Sequence, residues 1–170
     1  MGKPPVAAVG TLGGMTYWTS RWAGYAAIGW TLLYVASKVH FAVEGRIGVT
    51  GGPRVAAAAY RDYGPGEVAQ AQWANAGSGL LIVLLIVISL LPVRRRLPRV
   101  ALLVLLWACV VMAGAGAVGM LGGVAFTERG GAIFGGYCAV WAALLMIAAF
   151  GFQRRTRPAR VPLVELGDPR

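Results

Sequence analysis

Residues 74–91 read ANAGSGLLIVLLIVISLL, an uncharged run that ends in a nearly unbroken series of Leu, Ile and Val. At about 1.5 Å of rise per residue, a helix of this length crosses most of the ~30 Å hydrocarbon core of a bilayer. Three further runs have the same character: Trp22 to Val43, Val100 to Met120 and Ala132 to Phe152. Lipid offers no partner for an exposed backbone N–H or C=O, so segments this apolar fold as helices. The expected fold is all-α: a single integral membrane domain, a four-helix bundle of up-down-up-down order.

Composition agrees by a separate route. Hydrophobic residues make up 58% of the 170-residue chain and charged residues 13%, about half the charged share of a soluble domain. The net charge of +10 would suggest nucleic acid in a soluble protein. Here the basic residues flank the apolar runs instead of sharing a helix face with aromatics, which argues against a nucleic-acid partner.

The same residues predict orientation. Arg94, Arg95, Arg96 and Arg99 crowd the connection between the second and third runs, and Arg154, Arg155, Arg157 and Arg160 follow the fourth. The positive-inside rule puts both clusters in the cytoplasm, and four spans then put both termini there, with Lys3 and Arg21. The 44–72 segment and the short turn with Glu128 and Arg129 face outward. Tyr17, Trp18, Trp22 and Tyr25 suit the inner headgroups and Trp73 the outer ones, as an aromatic belt does. The long polar lead and the length of the first run mark it as a retained span and not a signal core. Arginine outnumbers lysine, and Ala, Gly and Val abound, a composition that suits a GC-rich bacterial genome and a location in the cell membrane.

Outside the spans, Gly45, Gly48, Gly51, Gly52 and Pro53 make a turn-rich start to the outer loop. Pro53 suits the first position of a short helix through Ala56 to Tyr60, capped by Thr50 or a glycine. Gly64-Pro65-Gly66 breaks it, and a new helix starting at Glu67 continues into the second span. Pro98 suits the start of the third helix. The basic, proline-rich tail 153–170 reads as flexible.

Small residues recur every fourth position in the third run, at Ala115, Gly119 and Gly123, and in the fourth at Gly131, Gly135, Ala139 and Ala143. Such rows let helix backbones approach closely in lipid, and these two are expected to meet. The same pattern also serves a homo-oligomer or another membrane-protein partner.

Polar side chains inside spans are costly and mark the first place to seek function. One group qualifies: Ser37, Lys38, His40 and Glu44 near the outer end of the first helix, with Asn75 and Ser78 of the second at similar depth. At 100° per residue, Ser37, His40 and Glu44 share one face, while Tyr34 and Lys38 lie roughly opposite. His40 and Glu44, at i and i+4, can hydrogen-bond and carry a proton near neutral pH. The competing reading has Lys38 snorkelling to the headgroups and the pair simply solvated. Cys109 and Cys138 stand outside any CxxC pair and at different depths, which argues against a disulfide. A lone histidine does not suggest a metal site, and nothing points to a cofactor or to a catalytic motif.

The stretch His40-Phe41-Ala42-Val43-Glu44-Gly45-Arg46-Ile47-Gly48, with four spans and an arginine-rich inner turn, resembles an uncharacterised family of small four-span bacterial membrane proteins, a domain of unknown function. That family's motif runs from a histidine through an aromatic and alanine to paired glycines; Glu44 stands where the first of the pair would be. The resemblance implies no activity, and it favours the outer end of the first helix as the site. Two function classes follow from the residues: a non-enzymatic structural or interaction protein, and, as the alternative, a proton- or cation-coupled transporter or channel subunit using that outer end. An intramembrane enzyme ranks third, because its acid-base groups would all come from one cluster at one interface.

Overall fold

The computed structural model describes residues 10–53, 55–93, 95–126 and 131–157, with 10–20 by backbone alone. It has helices α1 (Gly10–Val43), α2 (Glu67–Leu90), α3 (Arg96–Phe126) and α4 (Ala132–Thr156), with a 3₁₀ turn at Ala57–Tyr60. Each contains a stretch long and apolar enough to cross a membrane, the one in α1 being Arg21–Val43. No strand occurs among the described residues. Lys3, Arg94, Glu128, Arg129, Arg160 and the tail from 158 lie outside them, as do the side chains of Tyr17 and Trp18.

The helices outrun the apolar stretches. α1 begins at Gly10, well before Trp22, because adding a residue to an existing helix is far cheaper than nucleating one. α2 starts at Glu67 as the sequence predicts, after Gly66 at φ 82°; the Glu67 carboxylate accepts the Gly64 N–H at 2.8 Å. α3 opens at Arg96, so Pro98 sits in its first turn, where a missing N–H costs nothing. α4 continues to Thr156, which moves the start of the tail beyond 153. The short helix expected from Pro53 shrinks to the 3₁₀ turn. Its bonds are of the i to i+3 kind, Ala59 N to Ala56 O and Arg61 N to Ala58 O, and no side chain caps it at Ala56.

α1 is the hub. It packs along α2 and α4, α3 packs along α4, and α2 barely touches α3. Close approach to α2 depends on Gly79: a Cβ there would lie 2.6 Å from Val35 Cγ2. At the other end of the same pair Gly24 meets Leu90. Between α1 and α4 the Trp30 Nε1–H donates to the Tyr137 carbonyl at 3.2 Å, and the Tyr137 hydroxyl donates back to the Trp30 carbonyl. The two rings stack with centroids 4.9 Å apart. One turn further, Trp141 Nε1–H donates to Thr31 Oγ1 at 2.9 Å, while the Thr31 hydroxyl donates to Ala27 O. Indole and phenol groups this deep need such partners, since lipid supplies none.

The α3–α4 contact forms, but on only part of the expected rows. α3 buries Leu102, Leu106, Cys109, Ala113 and Ala117; Ala115, 200° around the helix from Ala113, is exposed, and so is Gly119. On α4 Gly131 and Gly135 are buried, Gly135 against Leu121 and Gly131 against Pro53, while Ala139 and Ala143 face out. Gly123 is only partly buried. α4 also buries the large side chains Trp141, Leu145 and Phe152, so its buried face is not a continuous small-residue row. Both cysteines are buried and free.

The outer surface is as apolar as the core. Leu84, Val104, Val111, Val118 and Ile147 are all exposed, and no span window is more than 33% buried. An apolar surface of this extent is at odds with water and matches lipid.

Candidate functional site

One end of the bundle carries the loop from Glu44 to Gly66 and is here termed the cap end; the other, with Arg21, Arg95, Arg96, Arg99, Arg154 and Arg155, is the arginine end. The cap begins where α1 stops. Gly45, at φ 63°, donates its N–H to Ala42 O, and Arg46 N–H reaches back to Phe41 O at 2.9 Å. This pair of bonds is the Schellman termination, which favours glycine at the left-handed position. It turns the chain sharply, so that residues 46–50 descend along the helix they have just left.

Four side chains then tie the loop down. Ser37 Oγ accepts the Thr50 N–H at 2.8 Å and donates to Thr50 Oγ1 at 2.9 Å. Lys38 Nζ donates to Gly48 O at 2.8 Å, with its ammonium 5.6 Å from the Tyr34 ring centre. From α2, Gln72 Nε2 donates to Arg46 O at 2.9 Å and to Gly48 O at 3.1 Å. The Tyr60 hydroxyl accepts Ile47 N–H at 3.1 Å. The Gly48 carbonyl thus receives a cation from α1 and an amide from α2. Gly48 itself has φ 147° and lies under the Phe41 ring, where a Cβ would come within 2.9 Å of the ring edge.

Beside this node opens a cleft of about 280 Å³, lined by Lys38, Gln72 and Asn75 among Val49, Val55, Val68, Met120 and Phe134. Gln72 is only 4% exposed. Both its amide hydrogens are committed to backbone carbonyls, and its Oε1 is buried without a hydrogen-bond partner among the described residues. A buried acceptor left unpaired costs about 1–3 kcal/mol. A mostly apolar cleft with a few convergent polar groups is the usual form of a small-molecule site. A second cleft of about 510 Å³, which shares Val49 and Phe134 with the first, is lined by Tyr34, Ser37 and His40 of α1 and Tyr137 of α4.

The residues singled out from the sequence therefore divide. His40 and Glu44 do pair, at 3.4 Å, but their side chains are 63% and 36% exposed, and Glu44 also holds Arg46 at 3.2 Å. Ser37 serves the loop and not the His40 pair. Lys38 does not snorkel outward; it is held by Gly48 O. Asn75 joins Lys38 at the cleft, and Ser78 is exposed, its hydroxyl donating to Asn75 O. Ser37 and Lys38 lie on different faces of α1 and both find partners, because the loop folds back over the helix end. Among the described residues, no three His, Cys, Asp or Glu side chains gather in a metal-binding arrangement.

Sequence reading missed Gln72, Thr50 and Tyr60, and the Trp30–Tyr137 and Thr31–Trp141 clasps. Gln72 and Thr31 stand out only once the buried faces are known. Gln72 falls in register with the buried row Ala76, Gly79, Ile82, Ile86 and Ser89, and Thr31 with Ala23, Ala27 and Val35. A polar residue in step with a buried row must have a partner. Comparison of the chain with protein-family models, curated proteins and solved structures finds no match.

Proposed function

We propose that this chain is a non-catalytic, multi-pass protein of the cell membrane, an up-down-up-down bundle with both termini in the cytoplasm, whose outer cap is a binding surface. The observation that carries the reading is the Lys38–Gln72 node: a cation and an unpaired buried amide oxygen at the wall of an apolar cleft, held in place by a loop bonded to two helices. Such a site is complementary to a small amphipathic molecule, or a partner's side chain, that offers an N–H or O–H beside an acceptor or negative group. Orientation is supported by the gathering of arginines at the end away from the cap, and kinship with the four-span family of unknown function belongs to the same proposal.

The transporter alternative has one observation in its favour, the His40–Glu44 contact at the cap end. Against it stands the chain beyond: from Trp22 to Ser37, and through Val68–Leu91, Val100–Phe126 and Ala132–Gln153, there is no Asp, Glu, Lys, Arg or His, so a charge entering at the cap meets no stepping stone. Thiol labelling in intact cells, with Cys109 and Cys138 replaced by Ala and single cysteines placed at Asp62 or Arg96, tests orientation; the proposal expects only Asp62→Cys to react with an impermeant reagent. Proteoliposomes holding the purified chain test the activity. Proton or cation flux above that of empty vesicles, abolished by His40→Ala, would overturn the binding reading in favour of transport.

A further inference from the structure

We infer that the ligand of the cap cleft is a small aliphatic 2-hydroxy acid, held through its hydroxyl by Gln72 and through its carboxylate by Lys38. This rests on the cap being a binding surface and names the chemistry that the surface takes.

The demand for a donor comes from Gln72. Its two amide hydrogens go to Arg46 O and Gly48 O, so the amide cannot turn over, and its buried Oε1, without a partner among the described residues, is fixed as an acceptor. An O–H or N–H on the ligand is what satisfies it. The demand for an anion comes from Lys38, whose ammonium donates to a neutral carbonyl, Gly48 O, in a cleft that no carboxylate lines. The remaining wall, with Val49, Val55, Val68, Met120 and Phe134, takes an aliphatic body.

The two polar demands lie close together, because Lys38 Nζ and Gln72 Nε2 meet at the one Gly48 oxygen, at 2.8 and 3.1 Å. The ligand therefore carries its donor within a few bonds of its anionic group. A 2-hydroxy acid does so with few atoms. An α-amino acid has the same spacing but brings a second ammonium next to Lys38, with no carboxylate in the lining to offset the repulsion. A plain fatty acid leaves Gln72 Oε1 unpaired. The cleft, about 280 Å³, has the space of about nine waters at ~30 Å³ each. That encloses an acid with a short branched chain and is too little for a whole phospholipid.

The test uses the purified full chain in a neutral detergent with Val68→Cys, a change of similar size at the cleft wall. The readout is the rate at which a small methanethiosulfonate reagent modifies the new thiol. The native chain, whose Cys109 and Cys138 are both buried, is the blank. Modification above that blank shows an open cleft, which the binding reading requires; its absence overturns that reading and this inference together. 2-Hydroxyisocaproate should then protect the thiol saturably. Isocaproate lacks the hydroxyl, 2-hydroxyisocaproamide lacks the charge, and leucine has an ammonium in place of the hydroxyl. Each should need about tenfold more for equal protection, the scale of one lost polar contact. Adding Lys38→Met should make the acid and its amide equal, with thermal unfolding to confirm the fold; if that variant unfolds, the ligand series on Val68→Cys alone decides. Isocaproate or leucine protecting as well as the hydroxy acid overturns the inference and leaves the cleft to a different ligand. An open cleft that none of the four compounds protects does the same.

Discussion

The two ends of this bundle are held by different physics. At the arginine end cohesion is apolar: Ile86, Leu106, Leu145 and Phe152 are each at most 1% exposed and belong to one continuous core. At the cap end it is directional: Ser37, Lys38, Gln72 and Tyr60 hold the loop by hydrogen bonds, mostly to backbone groups. Packing of large side chains resists separation of helices but tolerates small changes of loop path, whereas hydrogen bonds to particular carbonyls specify one path and contribute little cohesion. The contrast teaches that a membrane bundle can locate a precise polar site without building its stability there.

The largest test of that contrast is Phe152→Ala. Emptying this site should cost about 3 kcal/mol or more and lower the unfolding midpoint in detergent as a global transition, including at the cap. Next comes the α3–α4 seam: a Cβ on Gly135 would lie 2.8 Å from Leu121 Cδ2 and 3.1 Å from the Leu121 backbone nitrogen, while one on Gly119 meets nothing within 4 Å. Gly135→Ala should destabilise by about 1–3 kcal/mol, and Gly119→Ala should stabilise by up to about 1 kcal/mol through helix propensity, both read from thermal unfolding. If Gly119→Ala destabilises instead, Gly119 has a neighbour beyond the single chain.

At the cap, Gln72→Leu should cost about 1 kcal/mol, but its signature is local. Amide hydrogen exchange should quicken at Gly48–Thr50 and stay unchanged in α3 and α4. Lys38→Met should act in the same place, and because both side chains donate to Gly48 O the double variant should depart from the sum of the singles. Additivity within about 0.3 kcal/mol would dissolve the node. The smallest effect is expected at His40→Gln, within about 0.5 kcal/mol by thermal unfolding, since that pair is exposed; a loss several times larger would mean that the solvated pair anchors the cap.

How much of this was legible follows the same division. Span number and approximate position were readable because long apolar runs have one solution in lipid. Which face of each span is buried was not, because a lipid-facing Leu84 and a core Ile86 are chemically alike and the amphipathic signal disappears. The small-residue rows misled for that reason: Ala115 and Gly119 are as acceptable against lipid as against a helix. Gly45 as the end of α1 and Glu67 as the start of α2 were readable from local chemistry. The loop's anchor points were not, because Lys38 and Gln72 bind backbone carbonyls, a group that every residue offers.

The clasps between α1 and α4 bear on how the chain is made. Trp30 and Tyr137 are 107 positions apart, and Thr31 and Trp141 are 110 apart, so the first helix to enter the membrane waits for the last one to be synthesised before these bonds can close. α1 and α2 can pair early, but until α4 arrives the Trp30 indole N–H lacks the Tyr137 carbonyl that accepts it in the finished bundle. A chain that stops before residue 137 therefore lacks both clasps, and its first helix is held by α2 alone.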